Sequence, residues 1–258
     1  MASAAGCGGS AQPAEPPRAL SLSGSGSTLT VLELLHRNGS FGRIPLTFLE
    51  GTDSGGGIAA VAAGAVAIGA VSRAPKPGEL ARGLLYRPFA KDGIAFVAKG
   101  GRTSSLTRRQ LLRAFAGEVT NWRELGGANL PIVLLVRDED ESVTQHLRAE
   151  LFGEGFRFAR NATLLSSTGD MNEALGRTPG ALGFTSYGSL VSTRTGLKPL
   201  KFEGALPSVQ AFERDRYPFV RKLGIVFREG PSTSAFVAEI TGGDVAGGLR
   251  KLGYAPLG

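Results

Sequence analysis

Three stretches of this 258-residue chain share one chemical make-up. Each runs from an apolar segment through small hydroxyl and glycine residues into a helical pattern. In "LSLSGSGSTLTVLELL" the turn holds Gly24, Ser25, Gly26, Ser27 and Thr28; in "LEGTDSGGGIAAV" it holds Asp53, Ser54 and three glycines. In "VLLVRDEDESVTQHL" it holds Arg137, Ser142 and Thr144. Helix first turns present unpaired N–H groups at the positive end of the helix dipole, so such turns attract anions. Each hydroxyl could equally be a plain N-cap. Three of them meeting in one cleft, with a permanently charged Arg137, would bind a tetrahedral oxyanion.

The elements that must position these turns are legible as alternating periodicities. Leu29, Leu32 and Leu35 line one face of a helix that Asn38 and Gly39 end. Ile44 to Leu49 reads as a strand, Gly55 to Gly64 as a small-residue helix and Val66 to Val71 as a buried strand, a βαβ pattern predicting a parallel sheet. Further strands are expected at 93–100, in "LPIVLLV" and over 180–190, with helices after Thr107 and from Ser142 to Phe152. Thr107 with Gln110, and Ser142 with Gln145, have capping-box spacing. From Val220 onward one strand and two short helices are expected. The pattern predicts an α/β chain in two lobes, residues 18–98 with 188–258 and residues 99–187, behind a flexible leader expected at 1–17.

Composition narrows the chemistry. Two histidines and the single Cys7 leave almost nothing from which to build a zinc site or a Cys/His nucleophile, so no metal, cofactor or catalytic residue is expected. Neither a Walker-type "GxxxxGK[ST]" nor a "GxSxG" elbow is present, which argues against an enzyme of phosphoryl or acyl transfer. The formal charge of +7 favours anions in general, but the basic residues are scattered and aromatics make up only 7%, so no nucleic-acid platform is expected. The most apolar run, Ile58 to Val71, is short of the roughly 20 residues that span a bilayer.

At the level of ordered motifs the chain resembles the PstS-like phosphate-binding proteins, the type II periplasmic-binding-protein components of phosphate ABC transporters. The stretches that carry the likeness are "SGSGST", "TDSGGGI", "IGAVSRAPKPGEL", "LTRRQLLRAFAGEVTNW", "PIVLLVRDEDESVT", "PGALGFTSYGSL" and "RYPFVRKLGIVF", in order from about residue 20 to 227. The resemblance implies a two-lobed fold with a ligand cleft between the lobes, and capture without catalysis. It implies a ligand set of Ser27, Thr28, Ser54, Ser72, Arg73, Arg137, Ser142 and Thr144, with Trp122 packed in the core. The implied partners are inorganic phosphate or a similar oxyanion and a membrane permease, for a monomeric protein outside the cytoplasm. Small residues before Cys7 resemble the end of a lipoprotein signal, making Cys7 a candidate lipid anchor; a disordered leader is the alternative.

Two departures from the family pattern bear on the ligand. The loop after Arg137 is acidic, Asp138 to Glu141, where the family carries glycines, and Arg73 stands where many members carry an Asp that accepts the proton of bound phosphate. Asp53 is the nearest carboxylate in the matching loops and the candidate acceptor in its place. Other oxyanions, small anionic metabolites and a phosphate-sensing role stay open as alternatives.

Overall fold

The computed structural model describes residues 19–42, 44–80 and 83–257; Cys7 and the leader lie outside them. In chain order the elements begin with β1 (Leu20–Gly24), α1 (Gly26–Arg37), β2 (Leu46–Phe48), α2 (Ser54–Ala62), β3 (Ile68–Val71) and β4 (Leu84–Ala98). Next come β5 (Ser105–Leu106), α3 (Arg108–Phe115), β6 (Val133–Arg137), α4 (Ser142–Leu147), β7 (Thr163–Leu165) and α5 (Thr168–Arg177). The chain closes with β8 (Ala181–Ser186), α6 (Tyr187–Ser192), β9 (Lys201–Phe202), α7 (Val209–Glu213), β10 (Val220–Arg228), α8 (Pro231–Ile240), α9 (Gly243–Lys251) and β11 (Ala255–Pro256). No helix among the described residues is long and apolar enough to cross a membrane.

One mixed sheet runs in the order β2-β1-β3-β10-β4-β8-β6-β7, with β11 added to β4. The βαβ unit is present, with β1 parallel to both β2 and β3. Beyond that unit the sheet is mixed, because β10 pairs antiparallel with both β3 and β4. The long strand β4 is shared. Its first part, Leu84 to Gly93, pairs with β10, and its last part, Ile94 to Ala98, pairs with β8.

Two apolar clusters flank the two halves of this sheet. One gathers Leu22, Leu32, Ile68, Phe89, Ile225 and Phe236. The other gathers Phe96, Phe115, Trp122, Phe184, Phe202 and Phe219, with the Phe96 ring 5.5–6.5 Å from those of Phe115, Phe184, Phe202 and Phe219. Trp122 is fully buried there and its indole N–H donates to the Gly180 carbonyl at 2.9 Å, which lets a polar ring sit in the core.

Local chemistry decides several boundaries. Thr107 and Gln110 form the expected capping box on α3. Ser142 and Gln145 do not, since Glu141 is the N-cap of α4 and the Ser142 hydroxyl is taken by an arginine. The helix from Ser142 is α only to Leu147 and loosens into a π turn over Arg148–Phe152. The expected strand at 180–190 ends at Ser186, whose side chain accepts from the Ser189 N–H and starts α6 instead.

Close backbone approach brings the helix starts onto the sheet edge. Gly24, at φ 126°, ends β1 where a Cβ would lie 2.3 Å from the Ala70 carbonyl oxygen, and a Cβ on Gly57 in α2 would lie 2.9 Å from Gly24 Cα. Only glycine fits either position. Gly24→Ala is therefore expected to destabilise the fold by more than ~1 kcal/mol, read as a lowered midpoint in urea.

Candidate anion site

The hydroxyls of the first turn do not cap their helix. Ser25 is the N-cap of α1 yet makes no side-chain cap bond, and its Oγ lies 2.6 Å from Ser72 Oγ. Thr28 Oγ1 donates to the Val71 carbonyl at 2.9 Å and lies 2.8 Å from Ser72 Oγ. A hydroxyl has a single proton. With that of Thr28 spent on Val71, Ser72 must donate to Thr28, and Ser25 to Ser72. The Ser54 Oγ in turn accepts from the Ser72 N–H at 3.1 Å. Buried Thr28, Ser54 and Ser72 thus stitch α1, α2 and β3 into one rigid corner.

Next to that corner a cleft of about 430 Å³ opens, lined among others by Ser27, Asp53, Arg137, Glu141, Thr168 and Gly169. Four helices begin at its wall: α1 at Gly26, α2 at Ser54, α4 at Ser142 and α5 at Thr168. Their first-turn amides and dipoles make the cleft attractive to an anion. The start of α5 was not foreseen, although "LLSSTGDMNEAL" repeats the pattern of apolar run, hydroxyls, glycine and helix.

Arg137 closes the far side. It is 4% exposed, and its guanidinium donates to Thr168 Oγ1 and to the Ser166 carbonyl, both at 3.1 Å. Its Nη2 lies 2.7 Å from the Glu141 carboxylate, while its buried Nε has no partner among the described residues. Burial pulls its pKa down from the usual arginine range and Glu141 works against that shift, so the side chain stays a cation. The Thr144 hydroxyl donates to the Arg137 carbonyl at 3.3 Å and so holds the end of β6.

The acidic run divides. Glu139 turns away to pair with Arg148, whereas Glu141 turns into the cleft onto Arg137. Asp53 reaches the same cleft from the other side and caps α2, accepting from the Gly56 N–H at 2.5 Å. Glu141 is the N-cap of α4, and its side chain takes the buried guanidinium beside it rather than a first-turn amide.

Arg73 points elsewhere. Its guanidinium forms a bidentate pair with Glu79 at 2.6 and 2.7 Å and lines a second cavity of about 300 Å³ with Ser72, Ser142, His146 and Lys222. Burial, with Arg221 nearby, lowers the His146 pKa, so its ring is neutral at pH 7. Arg221 lines this second cavity too, and belongs to a pair that sequence reading missed. Asp92 and Arg221 are 0% and 2% exposed at the side chain, 2.9 Å apart, and Arg221 also reaches Ser27 and Ser142. The strand alternation of "VRKLGIVF" sets Arg221 on the same face as buried Leu223. An inward charge in an apolar strand was the available signal.

The model of the PBP superfamily domain matches residues 11–244. The chain belongs to the PBP superfamily. Among curated proteins it is 24% identical over 174 residues to the phosphate-binding protein PstS of Borreliella burgdorferi and 29% identical over 168 residues to that of Bacillus subtilis. The matches take in 63% and 64% of this chain but 62% and 55% of those proteins, so the chain spans under two thirds of their length. Among solved structures it is similar to a Clostridium perfringens protein with bound phosphate, at a TM-score of 0.82 and 22% identity over 93% of this chain and 100% of that one. An ABC-type phosphate transport receptor from Vibrio cholerae aligns with a TM-score of 0.69 and 23% identity over 92% and 99%. These likenesses fix the fold as two-lobed α/β.

The Arg73–Glu79 clamp yields a pH test. The hydrogen bond from Arg73, then that from the Lys76 N–H, outweighs burial and lowers the Glu79 pKa from 4.5 to about 2. A depressed carboxylate adds stability above its ordinary value and loses it as the pH falls through the folded one. Wild type should therefore unfold at a higher temperature than Glu79→Gln above about pH 4.5, with the gap closing towards pH 2 in a melting series.

Proposed function

We propose that this chain captures an oxyanion, with inorganic phosphate as its first ligand, in the cleft between its lobes and delivers it to the permease of an ABC importer without chemical change. One observation carries the choice of ligand. The cleft combines four helix starts and Arg137, all donors, with the carboxylates of Glu141 and Asp53, which only accept. A ligand suited to it must accept many hydrogen bonds and also donate one. Phosphate does both at neutral pH, since it keeps at least one proton; sulfate keeps none and would face bare carboxylate lone pairs. The printed names of the relatives, phosphate-binding proteins and a phosphate transport receptor, support the same reading.

In this reading Ser27, Arg137 and first-turn amides hold the ligand, while Ser54, Thr28, Ser72 and Thr144 build the frame behind it. Ser142 joins the ligand shell through the start of α4, Asp53 and Glu141 are the carboxylate candidates for the ligand's proton, and Arg73 braces the turn after β3. Lobe I comprises residues 18–98 and 188–258, and lobe II residues 99–187, with one refinement. Phe202, Phe212, Tyr217 and Phe219 pack with Phe96 and Phe184, so the return crossing falls at the start of β10. The protein acts as a monomer outside the cytoplasm, with Cys7 as its candidate anchor.

Calorimetry with phosphate and sulfate tests this. Wild type should bind phosphate well ahead of sulfate. Arg137→Ala should lose at least tenfold for both anions, about 1.4 kcal/mol or more, because charge-assisted bonds outrank neutral ones. Glu141→Gln should narrow the gap between the anions by strengthening sulfate. Equal affinity for both anions in wild type would move the assignment to oxyanions in general.

A further inference from the structure

The contacts of Arg221 join Asp92 to a serine at the start of each of α1 and α4. The arginine enters from the second residue of β10, between the two lobes, and its side chain is almost wholly buried. Asp92, on β4, grips it through Oδ2, 3.3 Å from Nε and 2.9 Å from Nη2. The other carboxylate oxygen of Asp92 accepts from the Gly188 N–H at 3.1 Å, which fixes the plane of the carboxylate and so of the guanidinium. Two further bonds leave this anchored fork. Nη1 donates to Ser142 Oγ at 2.6 Å and Nη2 donates to Ser27 Oγ at 2.9 Å.

The direction of those bonds is not free. A guanidinium has no lone pair to offer, so both serine oxygens must accept, and neither hydroxyl proton can lie along the contact. Each proton is thereby left for another acceptor. This is the opposite of the neighbouring corner, where the protons of Ser25, Ser72 and Thr28 run inward and end on the Val71 carbonyl. Ser27 lines the 430 Å³ cleft; Ser142, next in the chain to the cleft-lining Glu141, lines the second cavity together with Arg221, so the two hydroxyls sit on either side of the guanidinium. The two hydroxyls come from opposite lobes, one at the start of α1 and one at the start of α4.

We propose that Arg221 is a positioning residue for the anion site: held by Asp92, it occupies a lone pair on Ser27 and on Ser142 and so turns one hydroxyl donor from each lobe towards the bound oxyanion. Arg221 acts through the serines and need not touch the ligand. The inference rests on the oxyanion reading, and phosphate is the probe.

A mutant cycle separates this from a merely structural part. Phosphate affinity is measured by calorimetry for wild type, Arg221→Lys, Ser27→Ala with Ser142→Ala, and the triple variant, alongside the melting temperature of each without ligand. Lysine keeps a cation beside Asp92 but cannot fork to both serines. Arg221→Lys should weaken phosphate at least tenfold, and the serine pair should do the same. In the serine-pair background the lysine change should then cost less than twofold, since residues acting through one another are not additive. If Arg221→Lys costs as much there as in wild type, it does not act through the serines and the inference falls. Should Arg221→Lys fail to fold, the serine pair still decides, because it leaves the ion pair intact: phosphate affinity within twofold of wild type would mean that no donors are there to be positioned. A wild type that binds no phosphate overturns the reading underneath as well, an outcome distinct from both.

Discussion

A guanidinium cannot shed its proton on burial, so each buried arginine obliges the chain to surround it with acceptors. Among the described residues two arginines, Arg137 and Arg221, are buried, and much of the site follows from how each is satisfied. Arg221 takes Asp92, Ser27 and Ser142; Arg137 takes Glu141, Thr168 and the Ser166 carbonyl. Those partners come from β4 and from the starts of α1, α4 and α5, so satisfying two cations draws loops of both lobes together. Such pairs cost desolvation and add little to stability by themselves. Their use is to hold hydroxyls and carboxylates in one arrangement.

The glycines make that arrangement reachable. With no Cβ at Gly24 or Gly57, α2 settles against the junction of β1 and β3 and the first turns of α1 and α2 open at one spot. A single methyl at either place would push a helix start away from the sheet. The hydroxyls nearby then divide by the direction of their protons. Those of Thr28 and Ser72 are spent on the frame, while Ser27, forced to accept from Arg221, keeps its own available. Residues of the same type a few positions apart therefore do different work.

Cation and carboxylate side by side suit a ligand that is both acceptor and donor. Glu141 on Arg137 leaves the cleft less positive than its helix starts alone would make it, which disfavours anions with no proton to give. In the proposed reading the acidic loop, a departure from the family pattern, takes part in selectivity through one of its residues, while Glu139 is drawn off by Arg148.

The sequence by itself determined the α/β class, the βαβ opening, the capping box at Thr107 and the turns at Ser27, Asp53 and Arg137, because periodicity, capping and glycine turns are read within a few residues of one another. It could not say which way Ser72 or Ser142 would donate, that Arg73 would close on Glu79, or that Glu141 and not Glu139 would face inward. Nor could it pair Asp92 with Arg221, 129 positions apart. Those choices are set by which acceptor lies within 3 Å of each donor, a matter of antiparallel pairing between β4 and β10 and of the packing of helices on it, and only the folded chain supplies that geometry.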